Sequence, residues 1–382
     1  MTPHDELAAL LRPAGGGLYL VSTGLDAQKA LQRRLYGAAD DAQVAARFRA
    51  ALDRISTARG VILGVPSDVG AGFLRGANLG PQAIREGLLE APDYAARCQA
   101  LGLVDLGDVF VVPQLLHDDM LSEAQKAASR RALYPDLAES DRANLPVSPL
   151  SICERALELV FALNPRVKPF VLGGDHSVAW PVVSALAKAR GPTFGVVQSD
   201  AHTDLLAERL GVKYCFGTWS YHANDLLGRG GKLVQVGIRA TRRDKAHWES
   251  TLGVKQFWAS EIRAHPDRAL ADVVAHVQRL AVDGLYFSND IDGTDEAFAD
   301  ATGTPEPDGL EPEWLIQLIR ALGREVGLVG GDLMELAPPL CRRPDSTRRT
   351  VALAVRYVRE MLDAALGGDA ALGGDAARGD TP

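Results

Sequence analysis

Short runs that are apolar almost end to end recur along this chain, and no other feature constrains its fold as tightly. They are Val61–Val65, Leu103–Leu106, Pro169–Leu172, Thr193–Gln198, Leu233–Ile238, Leu285–Ile291 and Gly327–Leu336. Amphipathic stretches at Ser151–Leu163, Val178–Ala189, Arg268–Ala281, Pro312–Glu325 and Thr347–Ala365 separate or follow many of them. A strand with one face in water alternates apolar and polar residues, whereas one with no polar face must be covered on both sides. The pattern therefore predicts an α/β fold, a three-layer, doubly wound, mostly parallel sheet with helices on both faces.

The flanks read differently. Residues 1–58 are rich in alanine and charge, with Leu31, Leu35, Val44, Phe48, Leu52 and Ile55 at helical spacing, and read as an N-terminal helical arm. The α/β domain is expected over 59–366, with a polar insertion at 111–149. A Gly/Asp-rich near-repeat at 367–382 reads as a disordered tail.

A net charge of −8 argues against nucleic-acid or anionic-membrane partners. Neither a signal peptide nor a membrane span is expected. The four cysteines, Cys98, Cys153, Cys215 and Cys341, are too scattered for a disulfide framework, and a cytoplasmic location is the simplest expectation.

Ligands of open α/β sheets bind beyond the carboxyl ends of the strands. Polar residues gather at four such ends: Gly173-Gly174-Asp175-His176-Ser177, Asp200-Ala201-His202-Thr203-Asp204, Ser288-Asn289-Asp290-Ile291-Asp292, and Gly331-Asp332-Leu333-Met334-Glu335. In an extended chain, alternate residues share a face, which would set Asp200, His202 and Asp204 side by side, and likewise Asp290 and Asp292. Carboxylates so placed repel unless a multivalent cation lies between them. Asp200, Asp204, Asp290 and Asp292 with His176 and His202 form an oxygen-rich set without thiolate. That set suits two Mn²⁺ ions, or Ni²⁺, Co²⁺ or Fe²⁺, better than structural zinc. A cationic guanidinium would be welcome at so anionic a centre, where Glu335 could add a further charge. Each piece has a plainer reading when taken singly: a surface turn for DxHxD, a solvated strand end for Asp290–Asp292, a helix cap for His176. Their joint occurrence favours metal.

At this point the chain resembles the ureohydrolase superfamily of arginases, agmatinases, guanidinobutyrases and formiminoglutamases, over roughly Val61 to Leu336. GGDHS at 173–177, DAHTD at 200–204, SNDIDGTD at 288–295, GTPEP at 303–307, GVP at 64–66, RGANLGPQAIR at 75–85 and DLGD at 105–108 carry the likeness. It implies an arginase-like fold and two ions held by the six residues above. It implies that Asp204 is proton donor to the departing amine and that Glu335, in the D-x-x-E position, fixes the guanidinium. It also implies a homo-oligomer, a trimer or hexamer. Phe216 stands where the family usually has a pocket His, within Tyr214-Cys215-Phe216-Gly217-Thr218, and cannot transfer protons; His222 is a candidate substitute. The stretch Leu205–Lys213 lacks the polar loop that reads an α-amino acid, so arginine is not the expected substrate. The expectation is urea release from a small cationic guanidino compound, agmatinase- or guanidinobutyrase-like. A formimino-group or small-guanidine hydrolase, and a weakly active metal-binding partner of a catalytic paralogue, are the competing readings.

Overall fold

In the computed structural model, which describes residues 1–367, one sheet organises the chain. Its strands are β1 (Leu11–Arg12), β2 (Gly60–Val65), β3 (Leu103–Val109), β4 (Lys168–Gly173), β5 (Gly195–Ser199), β6 (Leu233–Ile238), β7 (Lys255–Trp258), β8 (Leu285–Asp290) and β9 (Leu328–Met334). They lie in the order β1-β3-β2-β4-β9-β8-β5-β6-β7, and every pairing is parallel except β1 with β3. Helices fill both faces, so two apolar cores form, one on each side. Leu63, Val171 and Val196 point into one, Ile62, Leu172 and Val197 into the other. This division explains the strands' uninterrupted apolarity, and the three-layer α/β expectation is borne out.

The two strands not foreseen are β1, too short to show a period, and β7, whose Lys-Gln-Phe-Trp reads as polar. Both lie at the sheet's edges. Residues 1–58 hold helices Pro3–Leu10, Leu25–Tyr36 and Asp41–Asp53. Leu7, Leu10, Leu11, Phe48, Leu52 and Ile55 bury themselves in the chain's own core. The stretch 111–149 carries helices Glu123–Leu133 and Glu139–Arg142. The tail reading of 367–382 falls, beyond Gly367, outside the described residues.

Two of the motifs prove architectural. Arg85, fully buried on helix Gly80–Leu88, donates to both carboxylate oxygens of Asp105 at 2.9 Å, to Asp108, and to the Gly107 carbonyl. A buried guanidinium needs this full set of acceptors, because one left uncompensated is strongly destabilising. The bonds lock the helix to β3.

Candidate metal centre

Four neighbouring strands, β4, β9, β8 and β5, end at one place, and each delivers polar side chains there. After β4 the chain passes so close to the Ser67 carbonyl that any Cβ at Gly174 would collide with it. Asp175 then caps the turn His176–Val178 by accepting the Ser177 N–H, and it also accepts the Gly70 N–H, each at 2.9 Å. This capping turns His176 inward. Its Nδ1 lies 3.0 Å from Asp290, 3.1 Å from Asp200 and 3.5 Å from Asp204.

His202 makes the second half, with Nδ1 3.1 Å from Asp292 and 3.5 Å from Asp200. Two triads result, His176–Asp200–Asp290 and Asp200–His202–Asp292, joined through Asp200. Neighbouring donors around a six-coordinate ion with bonds of about 2.1 Å sit about 3.0 Å apart. The closest donor pairs have that spacing, so the residues fit a pair of divalent ions.

The aspartates and histidines of the two motifs do meet, but not through the alternation expected of an extended chain. Neither motif is extended. Asp200 accepts the His202 N–H at 2.6 Å and Asp290 the Asp292 N–H at 2.9 Å, so each aspartate closes a tight turn on the residue two positions on. Asp204 and Glu335 both have left-handed backbones, φ 51° and 61°. Such conformations cost on the order of 1–3 kcal/mol and persist where surroundings impose them. Asp204 is held by the Trp219 indole N–H at 3.0 Å, and Trp219 also stacks on His176 at 4.6 Å. Glu335 accepts the His176 backbone N–H at 3.0 Å, and its own N–H bonds the Gly174 carbonyl.

Protonation follows from this crowding. Burial, then repulsion from neighbouring carboxylates, pushes Asp204, Asp290 and Glu335 well above ordinary carboxylate values. Burial opposes charge on His202, but Asp292 and the hydrogen bonds to Asp200 and Asp292 outweigh it and raise the ring to about 12. His176 rises for the same reason through Asp200 and Asp290. Without cations the cage therefore holds protons that metal must displace, since imidazole ligates only when neutral. Raising the pH removes that competition, so affinity increases with pH. Between pH 6 and 8 the apparent Mn²⁺ association constant should climb about tenfold or more per pH unit. Calorimetry in buffers of different ionisation enthalpy should show proton uptake by the buffer; a pH-independent constant would contradict the assignment.

A buried amide ladder, invisible in the strand reading, supports Asp200. Gln198 donates to Asp200 at 2.7 Å, Gln235 to Gln198 at 2.7 Å, Gln256 to Gln235 at 2.8 Å, and the Trp258 indole to Gln256 at 2.9 Å. The glutamines are fully buried and stand in register across β5, β6 and β7. An indole can only donate, so Trp258 fixes the direction of every amide, and each aims its N–H₂ toward the site. On the other side His176 Nε2 meets Ser288 Oγ at 3.0 Å, which donates to the buried Asp332 at 2.9 Å. Partners of this kind orient ligands and typically change metal affinity 10- to 100-fold. Gln198→Met should weaken Mn²⁺ binding by about that range, roughly 10- to 100-fold, at unchanged far-UV circular dichroism. An unaltered binding isotherm would deny the ladder its role. A lone glutamine in each of the apolar strands β5 and β6 was the available signal.

The substrate-side candidates part company. Phe216 lines a cavity of about 420 Å³ whose wall at Gly70 is hydrogen-bonded to Asp175, next to His176. His222 instead bonds the Lys213 carbonyl at 3.0 Å and packs among Trp180, Tyr214 and Tyr221, so the structure does not bring it to the ligand cluster.

The arginase family model matches residues 58–363. The chain belongs to the arginase family. A human guanidino acid hydrolase, mitochondrial by name, is 31% identical over 311 residues, covering 79% of this chain and 77% of that protein. A guanidinobutyrase of Pseudomonas aeruginosa is 30% identical over 323 residues, covering 82% and 87%. Among solved structures, proclavaminate amidino hydrolase from Streptomyces clavuligerus superposes with a TM-score of 0.62 at 25% identity, covering 80% of this chain and 91% of that one. The expectation of a ureohydrolase is borne out, and the arginase family implies a binuclear divalent metal centre, for which this chain has the side chains.

Proposed function

We propose that this arginase-family hydrolase releases urea from a small guanidino compound other than arginine, using two Mn²⁺ ions held by His176, Asp200, His202, Asp204, Asp290 and Asp292. Ni²⁺, Co²⁺ and Fe²⁺ suit the same donors. The single observation that carries the reading is the pair of His–Asp triads joined through Asp200. Bound there, the ions would supply a water able to lose its proton near neutral pH.

The chain's own groups do the rest. Glu335, one oxygen tied to the His176 N–H, would pair its carboxylate with the guanidinium, which restores the charge that burial disfavours. With water as the attacking group, Asp204 would carry its proton to the departing nitrogen as the C–N bond breaks and the C–O bond of urea forms, leaving urea and an amine. Trp219 holds Asp204 for this while stacking on His176.

Arginine is disfavoured because Leu205–Lys213 is apolar and charged and lacks the polar loop that reads an α-amino acid, and Leu206 and Leu210 stand exposed there. The relatives' names, guanidino acid hydrolase, guanidinobutyrase and agmatinase, support a substrate of that size. A homo-oligomer, trimer or hexamer, and a cytoplasmic location complete the proposal; among the described residues no helix is long and apolar enough to cross a membrane. The test is urea release by Mn²⁺-loaded protein from 4-guanidinobutyrate, agmatine, guanidine and arginine, with formiminoglutamate as control. Turnover of one of the first two is expected. Two bound ions without product from any compound would sink the catalytic reading.

A further inference from the structure

The cavity at Phe216 tells more about the substrate than the metal ligands do. Its walls are the Val69–Gly72 loop after β2, Leu115, Phe216 and Arg209. Two hydrogen bonds tie its wall to the segment that carries His176: Phe216 N–H bonds the Gly70 carbonyl at 3.3 Å, and Gly70 N–H bonds Asp175, which precedes His176. A molecule anchored by its guanidinium at Glu335 would have to reach this wall with its other end.

Arg209 stands out there. Its guanidinium lies over the Phe216 ring, 4.7 Å from the centroid, and the residue is half-buried. Among the described residues no carboxylate comes within ion-pair distance of it. In a chain of net charge −8, that leaves a positive group beside a cavity without its own counter-ion. The posture is built rather than incidental. A Cβ on Gly72 would run into both Arg209 Nη1 and the Phe216 ring, so the stack depends on a glycine opposite it. The aromatic face holds the guanidinium's plane, and a held plane presents its N–H fork to a carboxylate with little further ordering.

We infer that Arg209, stacked on Phe216, binds the carboxylate of an ω-guanidino acid whose guanidinium is processed at the metal centre. The inference rests on the hydrolase reading above and narrows it. Phe216 replaces a proton-carrying histidine with a platform, and methylenes between the two charged ends would lie against its ring. A substrate ending in an ammonium group would meet Arg209 as a like charge, so the same residue selects against it.

The experiment compares kcat/KM for 4-guanidinobutyrate and agmatine in Mn²⁺-loaded wild type, Arg209→Gln and Arg209→Lys. Calorimetric binding of 4-guanidinobutyrate is measured on the same proteins. Wild type should favour the acid. Arg209→Gln should lower the acid-to-amine ratio of kcat/KM about tenfold or more, mainly through KM for the acid, and Arg209→Lys should recover part of it. A wild-type preference for agmatine, or a ratio that Arg209→Gln leaves in place, overturns the inference while the hydrolase reading stands. Should no compound of the panel above yield urea, calorimetry still separates the two claims. Binding that weakens in Arg209→Gln keeps the anion site and removes the hydrolase reading; binding indifferent to the change removes the anion site.

Discussion

Asp200→Ala is expected to reduce bound Mn²⁺ from two ions per chain to at most one weakly held ion, and to lower kcat/KM by about 10³-fold or more. The size follows from its place in both triads, with one oxygen near His176 and the other near His202. Every other ligand can be lost from one triad with the second left complete; without Asp200 each is reduced to a His–Asp pair. The side chain is also where the amide ladder terminates, so its removal leaves the Gln198 N–H₂ group buried without its acceptor, at a cost of about 1–3 kcal/mol. Far-UV circular dichroism and thermal melting of the metal-free protein separate that loss from misfolding. A variant that keeps two ions, counted by plasma emission spectroscopy, would show that Asp200 is not shared.

Asp204→Asn is expected to behave differently. Asparagine keeps the size and can accept the Trp219 indole N–H through its carbonyl, so the strained φ of 51° and the stacking on His176 should survive. What it cannot do is take up and return a proton. Proton transfer by a positioned group contributes roughly 10²–10⁴ in rate, and a loss of about that size in kcat, 10²- to 10⁴-fold, is expected, with KM for the guanidino compound changed far less. Metal content should fall less than in Asp200→Ala, since neither triad includes Asp204. A variant whose kcat is within a few-fold of wild type would remove Asp204 from the proton path.

Much of this site was legible because its residues are polar groups interrupting apolar strands. Asp290 ends β8, Asp200 and His176 follow β5 and β4, and Glu335 follows β9. Once the strands are placed, the ends converge by topology, and the sequence needs no further information to say so. The local geometry was not legible. Asp200 and Asp290 close turns instead of lying in extended chain, a choice made by short hydrogen bonds to N–H groups two residues on. The glutamine ladder depends on the lateral register of β5, β6 and β7, and register between strands far apart in sequence leaves no mark on any one of them. His222 shows the opposite failure. Proximity in sequence to Phe216 made it a candidate, but one helical turn carries its ring into the Trp180–Tyr214 cluster. The edge strands β1 and β7 escaped for a third reason, since edges need not be apolar on both faces.

The residues converging on Asp200 are, in this account, a cage made for paired cations. Anomalous diffraction at the manganese edge, from crystals grown with Mn²⁺, reads that claim without reference to any substrate. Two peaks are predicted about 3.5 Å apart, one against His176 and Asp290, the other against His202 and Asp292, with Asp200 touching both. A single peak, or density elsewhere in the molecule with the two histidines free of metal, would contradict it.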